Sequence, residues 1–141
     1  MPRAARYTPE QAAAIPVRRS GPKLQVCLIR RKGARAWGIP KGLVERGDTL
    51  EETALNEAWE EAGLTGSLLG RTLGTYQYQK WGTTLTVAVY LMAVAAQDRV
   101  WEESSFRERK WMSLDAAEAA LKQHPVRPLL DRAKRLLARS H

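Results

Sequence analysis

The segment that most constrains the fold of this chain is GLVERGDTLEETALNEAWEEAGL, residues 42–64, because it carries signals for both ends of a helix. Thr49 is followed three residues later by Glu52, which fits a capping box, and the pair one residue earlier fits the same pattern. Gly63 is a natural stop, since glycine readily takes the left-handed conformation after a last helical turn. The segment therefore predicts a loop followed by a helix that ends near Gly63.

Apolar runs and turn residues on both sides of this helix predict strands. Two strands are predicted before it, AAAIPV and LQVCLIRR, around a turn at Ser20-Gly21-Pro22, and AWGIP is a short extended piece. Two long strands are predicted after it, LLGRTLGTYQYQK and TTLTVAVYLMAVAA, with a turn near Trp81-Gly82. A polar loop then leads into a short strand, and helices are predicted over Leu114–Leu121 and LLDRAKRLLARSH. This order predicts an α/β or α+β fold with a mixed sheet.

Length and composition favour one domain. The 141 residues suit a single core, and we expect this single domain to comprise residues 11–141. Residues 1–10 are expected to form a flexible basic arm. No apolar run approaches the ~20 residues that span a bilayer. The N-terminal segment lacks the apolar stretch of a signal peptide, which favours a cytoplasmic location. Cys27 is the single cysteine, and we expect it to be a buried, small apolar residue.

The net charge of +8 is unevenly distributed along the chain. Residues 1–41 contain ten basic residues and one acid, residues 42–63 one basic residue and seven acids, and residues 64–141 twelve basic residues and seven acids. An acidic island in basic surroundings fits a cation held by carboxylates beside an anionic ligand. The simpler alternative is a solvated surface, with acids placed near a helix N-terminus.

Three carboxylates share one face of the predicted helix. With about 100° per residue, Glu57, Glu60 and Glu61 fall within roughly 100° of one another. The other side is apolar and is predicted to face the core: Leu55, Ala58, Trp59 and Ala62. Like charges at these spacings repel, and the helix carries no lysine or arginine to relieve them. Mg²⁺ or Mn²⁺ is the natural counter-charge, because both take carboxylate oxygens; a merely solvated face is the alternative.

The spacing of Gly42, Asp48 and the run Asn56–Leu64 resembles the Nudix box, G-x5-E-x7-R-E-U-x-E-E-x-G-U with U apolar. Two positions depart from that pattern, since Asp48 stands in place of Glu and Asn56 in place of Arg. The preceding WGIPKG is also typical of Nudix proteins. Outside the box, landmarks in EEAGLTGSLLGRTLGTYQYQK, TVAVYLMAV, WEESSFRERKWMSLDAAEAAL and QHPVRPLL resemble the branch of diphosphoinositol-polyphosphate and dinucleoside polyphosphate phosphohydrolases.

This resemblance implies a Nudix fold, an α/β/α sandwich around a mixed sheet, and hydrolysis of a phosphoanhydride with Mg²⁺ or Mn²⁺ as cofactor. The implied metal ligands are Glu57 and Glu61 with Glu60, together with a backbone carbonyl at Lys41 or Gly42. In the resembling branch the general base corresponds to Glu60. Other carboxylates stay open as the base, because Nudix enzymes differ here: Glu57, Glu102, Glu103 and Glu108.

Basic side chains are the candidates for holding a polyphosphate substrate: Arg30, Arg31, Lys32, Lys80, Arg107 and Arg109. Each of them is alternatively a solvated surface cation. Trp81 could stack on a base, although a hairpin cap or partial core packing explains it equally well. His124 is predicted to be structural, because the carboxylates suffice for the chemistry.

The favoured substrates are dinucleoside polyphosphates and diphosphoinositol polyphosphates, with an RNA 5′ end as a less favoured partner. No membrane partner is expected, and the protein is predicted to be a monomer or homodimer. Asn56 cannot supply the charge of the box arginine, although its amide can donate a hydrogen bond. An alternative is therefore a Nudix-like module that binds polyphosphate or nucleic acid with weak or no turnover.

Overall fold

The computed structural model describes residues 8–139, and all structural statements below concern this range. It contains seven strands and three helices around one mixed sheet, as predicted for an α/β fold. The elements are β1 Gln11–Ser20, β2 Lys23–Arg31, β3 Lys41–Leu43, α1 Leu50–Ala62, β4 Leu64–Leu68, β5 Gly74–Lys80, β6 Thr83–Gln97, β7 Arg107–Ser113, α2 Leu114–Ala120 and α3 Arg127–Ala138. None of the described helices is long and apolar enough to cross a bilayer.

The sheet is covered on both faces. Its main path runs β4-β6-β1-β2-β7, with β3 paired to β1 and β5 paired to β6. β1 and β6 are parallel, and the other pairs are antiparallel. Because successive side chains of a strand point to opposite faces, β1 contributes Ala12 and Ala14 to the core under α1 and Ala13 and Ile15 to the core under α2 and α3. This is the α/β/α sandwich that the resemblance implied.

The signals at the two ends of α1 are confirmed. The Thr49 hydroxyl accepts the Glu52 backbone N–H at 3.0 Å, and the Glu52 carboxylate accepts the Thr49 backbone N–H at 2.8 Å. The capping box therefore begins at Thr49 and not one residue earlier. Gly63 ends the helix in the left-handed region at φ 67°.

The predicted core face of α1 is partly wrong. Ala58 and Ala62 are fully buried, as expected, but the Trp59 side chain is 49% exposed. The buried stripe is rotated towards Ala54 and Glu61, which leaves Glu61 only 8% exposed. The stripe consists mostly of alanine, which lets the helix lie close to the sheet and leaves no room there for an indole.

The long strand predicted over LLGRTLGTYQYQK is wrong, because it is interrupted. β4 ends with Leu68 opposite Met92, and β5 starts with Gly74 opposite Val89. Residues 69–73 therefore have only two positions of β6 to pair with, and they bulge out of the sheet. The three-residue β3 was also not predicted, since residues 42–48 were read as loop.

Most remaining elements were predicted within three residues of their observed ends. β1, β2, β6 and α2 were predicted, whereas α3 begins at Arg127 and takes Pro128 into its first turn. Residues 1–7 of the predicted arm and residues 140–141 of the predicted last helix lie outside the described residues. Glu10 is hydrogen-bonded to β6, since its backbone N–H donates to the Thr86 carbonyl at 3.1 Å. Cys27 is buried as expected, and burial raises the pKa of its thiol to about 12.

His124 has the structural environment that was predicted for it. Its Nδ1 accepts the Val126 backbone N–H at 3.0 Å, and its ring packs edge-on against Tyr76. Burial, and then the charge of Lys41, lower its pKa from 6.5 to about 4. The fold therefore favours the neutral imidazole.

This pKa gives a prediction for acid stability. The unfolded chain binds a proton at His124 below about pH 6.5, while the folded chain does so only near pH 4. Protonation of His124 therefore favours the unfolded chain, and the free energy of unfolding falls as the pH drops from 6.5 towards 4. We expect wild type to lose about 1–2 kcal/mol between pH 7 and pH 5 relative to His124→Asn. Urea unfolding of both proteins at the two pH values measures this difference. The carboxylates titrate in both proteins alike, so their contribution cancels when the two are compared. Parallel pH profiles would contradict the prediction.

Candidate active site

Glu57, Glu60 and Glu61 of α1 lie close enough together to influence one another's pKa values. Glu57 and Glu61 are one turn apart, and the Glu57 carboxyl is subject to the charges of both Glu61 and Glu60. Burial, and then the charges of Glu61 and Glu60, raise the pKa of Glu57 to about 8. Burial also raises the pKa of Glu61. The cluster is therefore rich in negative charge that the helix itself does not neutralise.

β3 forms the floor of this cluster. The Lys41 backbone N–H donates to Glu61 Oε1 at 3.1 Å. Gly42 lies directly against Glu57, because a Cβ added there would stand 2.2 Å from Glu57 Cδ. The missing side chain at Gly42 therefore makes the space in which the Glu57 carboxyl sits. Coordination by a carbonyl of Lys41 or Gly42 stays a prediction.

The loop Asp98–Phe106 brings a second set of carboxylates to α1. The Trp101 indole N–H donates to the Glu61 carbonyl at 2.9 Å, and the Glu103 backbone N–H donates to the Glu60 carbonyl at 3.2 Å. One carboxylate oxygen each from Glu60, Glu102 and Glu103 lie within 4.8 Å of one another. Burial, and then the charges of Glu102 and Glu103, raise the pKa of Glu60.

The donor set fits a hard divalent cation. Mg²⁺ and Mn²⁺ take carboxylate oxygens as ligands, and here carboxylates come both from α1 and from the loop that follows β6. The absence of a side chain at Gly42 leaves the room that the Glu57 carboxyl occupies beside β3. Positive charge bound there would also relieve the repulsion that raises the pKa values of these groups.

A basic cleft of about 310 Å³ adjoins the carboxylates. Its walls include the predicted side chains Arg30, Arg31 and Arg107 and also residues that were not predicted to bind substrate: Trp37, Lys41 and His124. The Arg30 guanidinium stacks 4.1 Å from the Trp37 ring centroid and pairs with Glu108. Arg31 lies 5.3 Å from the Phe106 ring centroid. The only sequence signal for Trp37 and Lys41 was their place in WGIPKG.

The hairpin between β5 and β6 stands over the Lys41 side of the site. Lys41 Nζ lies 4.9 Å from the Tyr78 ring centroid, and the Tyr78 hydroxyl donates to Gln11 at 2.7 Å. At the tip, Lys80 Nζ lies 4.4 Å from the Trp81 ring centroid. Trp81 is 74% exposed and has a left-handed backbone, φ 53°, so it does not pack in the core.

The predicted substrate-binding residues do not form one group. Lys32 is exposed, and its backbone N–H donates to Phe106. Arg109 lies at the end of α1, where it donates to the Ala62 and Asp98 carbonyls and stacks on Trp101. The position of Arg109 favours a structural role there. Arg107 is paired with carboxylates of the acidic cluster.

Asn56 lies in a recess of about 200 Å³ whose acidic walls are Glu45, Asp48, Glu57 and Glu60. The Asn56 side chain is exposed and makes no hydrogen bond to any residue from 8 to 139. Both positions at which the sequence departs from the Nudix box, 48 and 56, therefore line one acidic recess.

Comparisons with known proteins identify chains that are similar in sequence. Residues 8–133 match the family model of the NUDIX domain. Nudix hydrolase 21, chloroplastic, of Arabidopsis thaliana is 39% identical over 100 residues, which are 69% of this chain and 50% of that protein. The putative mutator protein MutT4 of Mycobacterium tuberculosis is 32% identical over 115 residues, 77% of this chain and 45% of that protein. This chain thus spans about half the length of these curated relatives.

Solved structures show the same fold. The binary complex of the C. elegans Ap4A hydrolase superposes with a TM-score of 0.77 at 23% identity, covering 93% of this chain and 98% of that one. The family match, the curated relatives and the box carboxylates gathered on α1 lead to one conclusion. The chain belongs to the Nudix hydrolase family.

Proposed function

We propose that this chain is a metal-dependent pyrophosphohydrolase that cleaves a phosphoanhydride in a polyphosphorylated substrate. The observation that carries the proposal is that the acidic cluster and the basic cleft are one continuous site. Lys41 and Arg107 belong to both, because each lines the cleft and each contacts Glu61. A polyphosphate in the cleft would thereby lie with one phosphorus beside the carboxylates.

The residues divide into two tasks. Glu57, Glu60 and Glu61 would hold Mg²⁺ or Mn²⁺, with a carbonyl of Lys41 or Gly42 as the predicted further ligand. The bound cation would neutralise phosphate charge and activate water. Glu60 is the proposed general base, because it is the least buried of the three and its raised pKa favours proton uptake. Water attacks the phosphorus in line, Glu60 takes its proton, and the anhydride P–O bond breaks to release the leaving phosphate.

Aromatic side chains favour a nucleoside-containing substrate over a diphosphoinositol. Trp37 forms a wall of the basic cleft, and Tyr78 and Trp81 lie on the hairpin above Lys41. An inositol offers no aromatic face, whereas a base stacks on such rings. Dinucleoside polyphosphates are therefore the substrates we favour, and diphosphoinositol polyphosphates come second. A cytoplasmic location and a monomeric or dimeric state also remain predictions.

The test is turnover with Mg²⁺ or Mn²⁺ on a substrate panel. The panel contains dinucleoside polyphosphates, diphosphoinositols, nucleoside triphosphates, ADP-ribose and 5′-triphosphate RNA, each compared with Glu61→Gln. Turnover of a dinucleoside polyphosphate above this control supports the proposal. If no substrate is turned over but polyphosphates bind, the protein is the alternative binding module.

Trp81 gives a prediction on substrate class. Trp81→Ala is expected to raise the KM for a dinucleoside polyphosphate about tenfold, because base–aromatic stacking contributes ~1–3 kcal/mol. The KM for a diphosphoinositol should not change. Trp59→Ala is the matched control, since Trp59 is also exposed but lies on the outer side of α1. Equal effects of Trp81→Ala on both substrate classes would exclude a stacking role.

A further inference from the structure

We propose that Arg107 is a positioning residue that supplies, from β7, the positive charge that α1 itself lacks. Its guanidinium would join Glu61 of the helix to Glu103 of the Asp98–Phe106 loop and hold both carboxylates in place for the cation. This inference rests on the proposed function, and it assigns Arg107 a different role from the predicted one of binding substrate phosphate.

The first observation is that no other side chain of the described residues provides this charge. α1 contains no lysine or arginine, and the Asn56 amide has no hydrogen-bond partner among the described residues. Within residues 8–139, Arg107 is the only basic side chain that forms an ion pair with a carboxylate of α1.

The second observation is the geometry of the pairs. Arg107 Nη2 lies 3.4 Å from Glu61 Oε2, and Arg107 Nε contacts Glu103 Oε1. The three side chains are only 10–22% exposed, so the pairs are screened less than surface pairs. The other Glu61 oxygen accepts the Lys41 N–H, and both oxygens of this carboxylate therefore have a fixed donor.

The third observation is that Arg107 ties two chain segments together. Glu103 reaches the cluster from a loop about forty residues after α1, and its backbone already donates to the Glu60 carbonyl. With Nε and Nη2 engaged by carboxylates, a phosphate in the cleft would find only part of this guanidinium free.

The two roles for Arg107 predict different results in the absence of substrate. A positioning residue changes the affinity for the cation itself, whereas a phosphate-binding residue changes the KM for substrate and leaves cation affinity alone. We therefore expect Arg107→Gln to weaken Mn²⁺ binding, measured by calorimetry on substrate-free protein, by about 10-fold or more. The Mn²⁺ affinity of Arg107→Lys should lie between those of wild type and Arg107→Gln, because an ammonium keeps the charge but not the planar, forked shape of the guanidinium.

Arg31→Gln is the matched control, since Arg31 lines the same cleft and forms no ion pair with a described carboxylate. It should leave Mn²⁺ affinity unchanged and raise the KM. Arg107→Gln should instead lower kcat at saturating substrate and change the KM little.

A second-site change tests the charge directly. Position 56 lines the recess that contains Glu57 and Glu60, so Asn56→Arg introduces a guanidinium beside the same cluster. We expect Asn56→Arg to recover part of the Mn²⁺ affinity lost in Arg107→Gln. Far-UV circular dichroism and a thermal melt establish that each variant folds, and Arg107→Lys serves if Arg107→Gln does not.

The outcomes separate this inference from the proposed function. Wild-type Mn²⁺ affinity in Arg107→Gln together with a raised KM would overturn the inference and make Arg107 a substrate-binding residue. Weakened affinity in Arg107→Gln with no turnover by wild type on any panel substrate would support the inference and refute the proposed function.

Discussion

Replacing Glu57 with glutamine is expected to lower turnover by about 10³-fold while leaving the metal-free protein at least as stable as wild type. The charges of Glu61, Glu60 and Glu103 all act on the Glu57 carboxyl, so Glu57 is central to the cluster. Loss of one group that stabilises charge in an active site costs ~10²–10³-fold, and loss of a cation ligand removes more.

Stability should change in the opposite direction. Burial and the neighbouring carboxylates raise the pKa of Glu57 to about 8, which shows that its ionised form is unfavourable in the metal-free fold. Glutamine has the same shape without the charge, so it removes repulsion and leaves no cavity. Sites that keep like charges together for function commonly gain stability when the charge is removed.

Thermal melts with and without Mg²⁺ check this prediction together with turnover on the substrate found by the panel. Wild type should gain melting temperature on adding Mg²⁺, and Glu57→Gln should not. Glu51→Gln is the control, because it makes the same exchange on an exposed part of the same helix. If Glu57→Gln keeps a tenth of wild-type turnover, Glu57 is not a metal ligand.

The sequence predicted those features that depend on neighbouring residues. The capping box at Thr49 and the glycine at position 63 set the ends of α1, and the 3.6-residue repeat then places Glu57, Glu60 and Glu61 together. These signals involve residues only a few positions apart, so they can be recognised in the sequence without knowledge of the rest of the fold.

Features that depend on distant partners were missed. β3 has only three residues and forms because it pairs with β1. A segment of this length shows no alternating apolar pattern from which a strand could be predicted. Trp59 was assigned to the core because its position on the helix lies opposite the three carboxylates, but the face of α1 that packs on the sheet presents mainly alanine side chains. The contacts of Arg107 and Glu103 with α1 require the Asp98–Phe106 loop to fold back over the helix, which no local pattern reports.

Gly42→Ala is expected to lower Mn²⁺ affinity and turnover by about 100-fold without unfolding the protein. A Cβ at this position would lie 2.2 Å from Glu57 Cδ and 2.5 Å from each of its oxygens. The atoms that it meets are the end of a flexible side chain, so the clash is relieved when the Glu57 carboxyl rotates away from Glu61. Misplacing a reacting or coordinating group by about 1 Å costs on the order of 10² in rate.

Calorimetry with Mn²⁺ measures the effect of Gly42→Ala, and Gly38→Ala is the matched control for cation affinity. The Cβ of Gly38→Ala would meet only the His124 ring, at an ordinary 3.7 Å. Because Gly42→Ala acts through the Glu57 carboxyl, the double variant Gly42→Ala/Glu57→Gln should be no less active than Glu57→Gln alone. Fully additive losses would show that Gly42 acts on something other than Glu57. In that case the carbonyl predicted to coordinate the cation at Lys41 or Gly42 would be the next group to test, because a backbone shift in β3 would displace it.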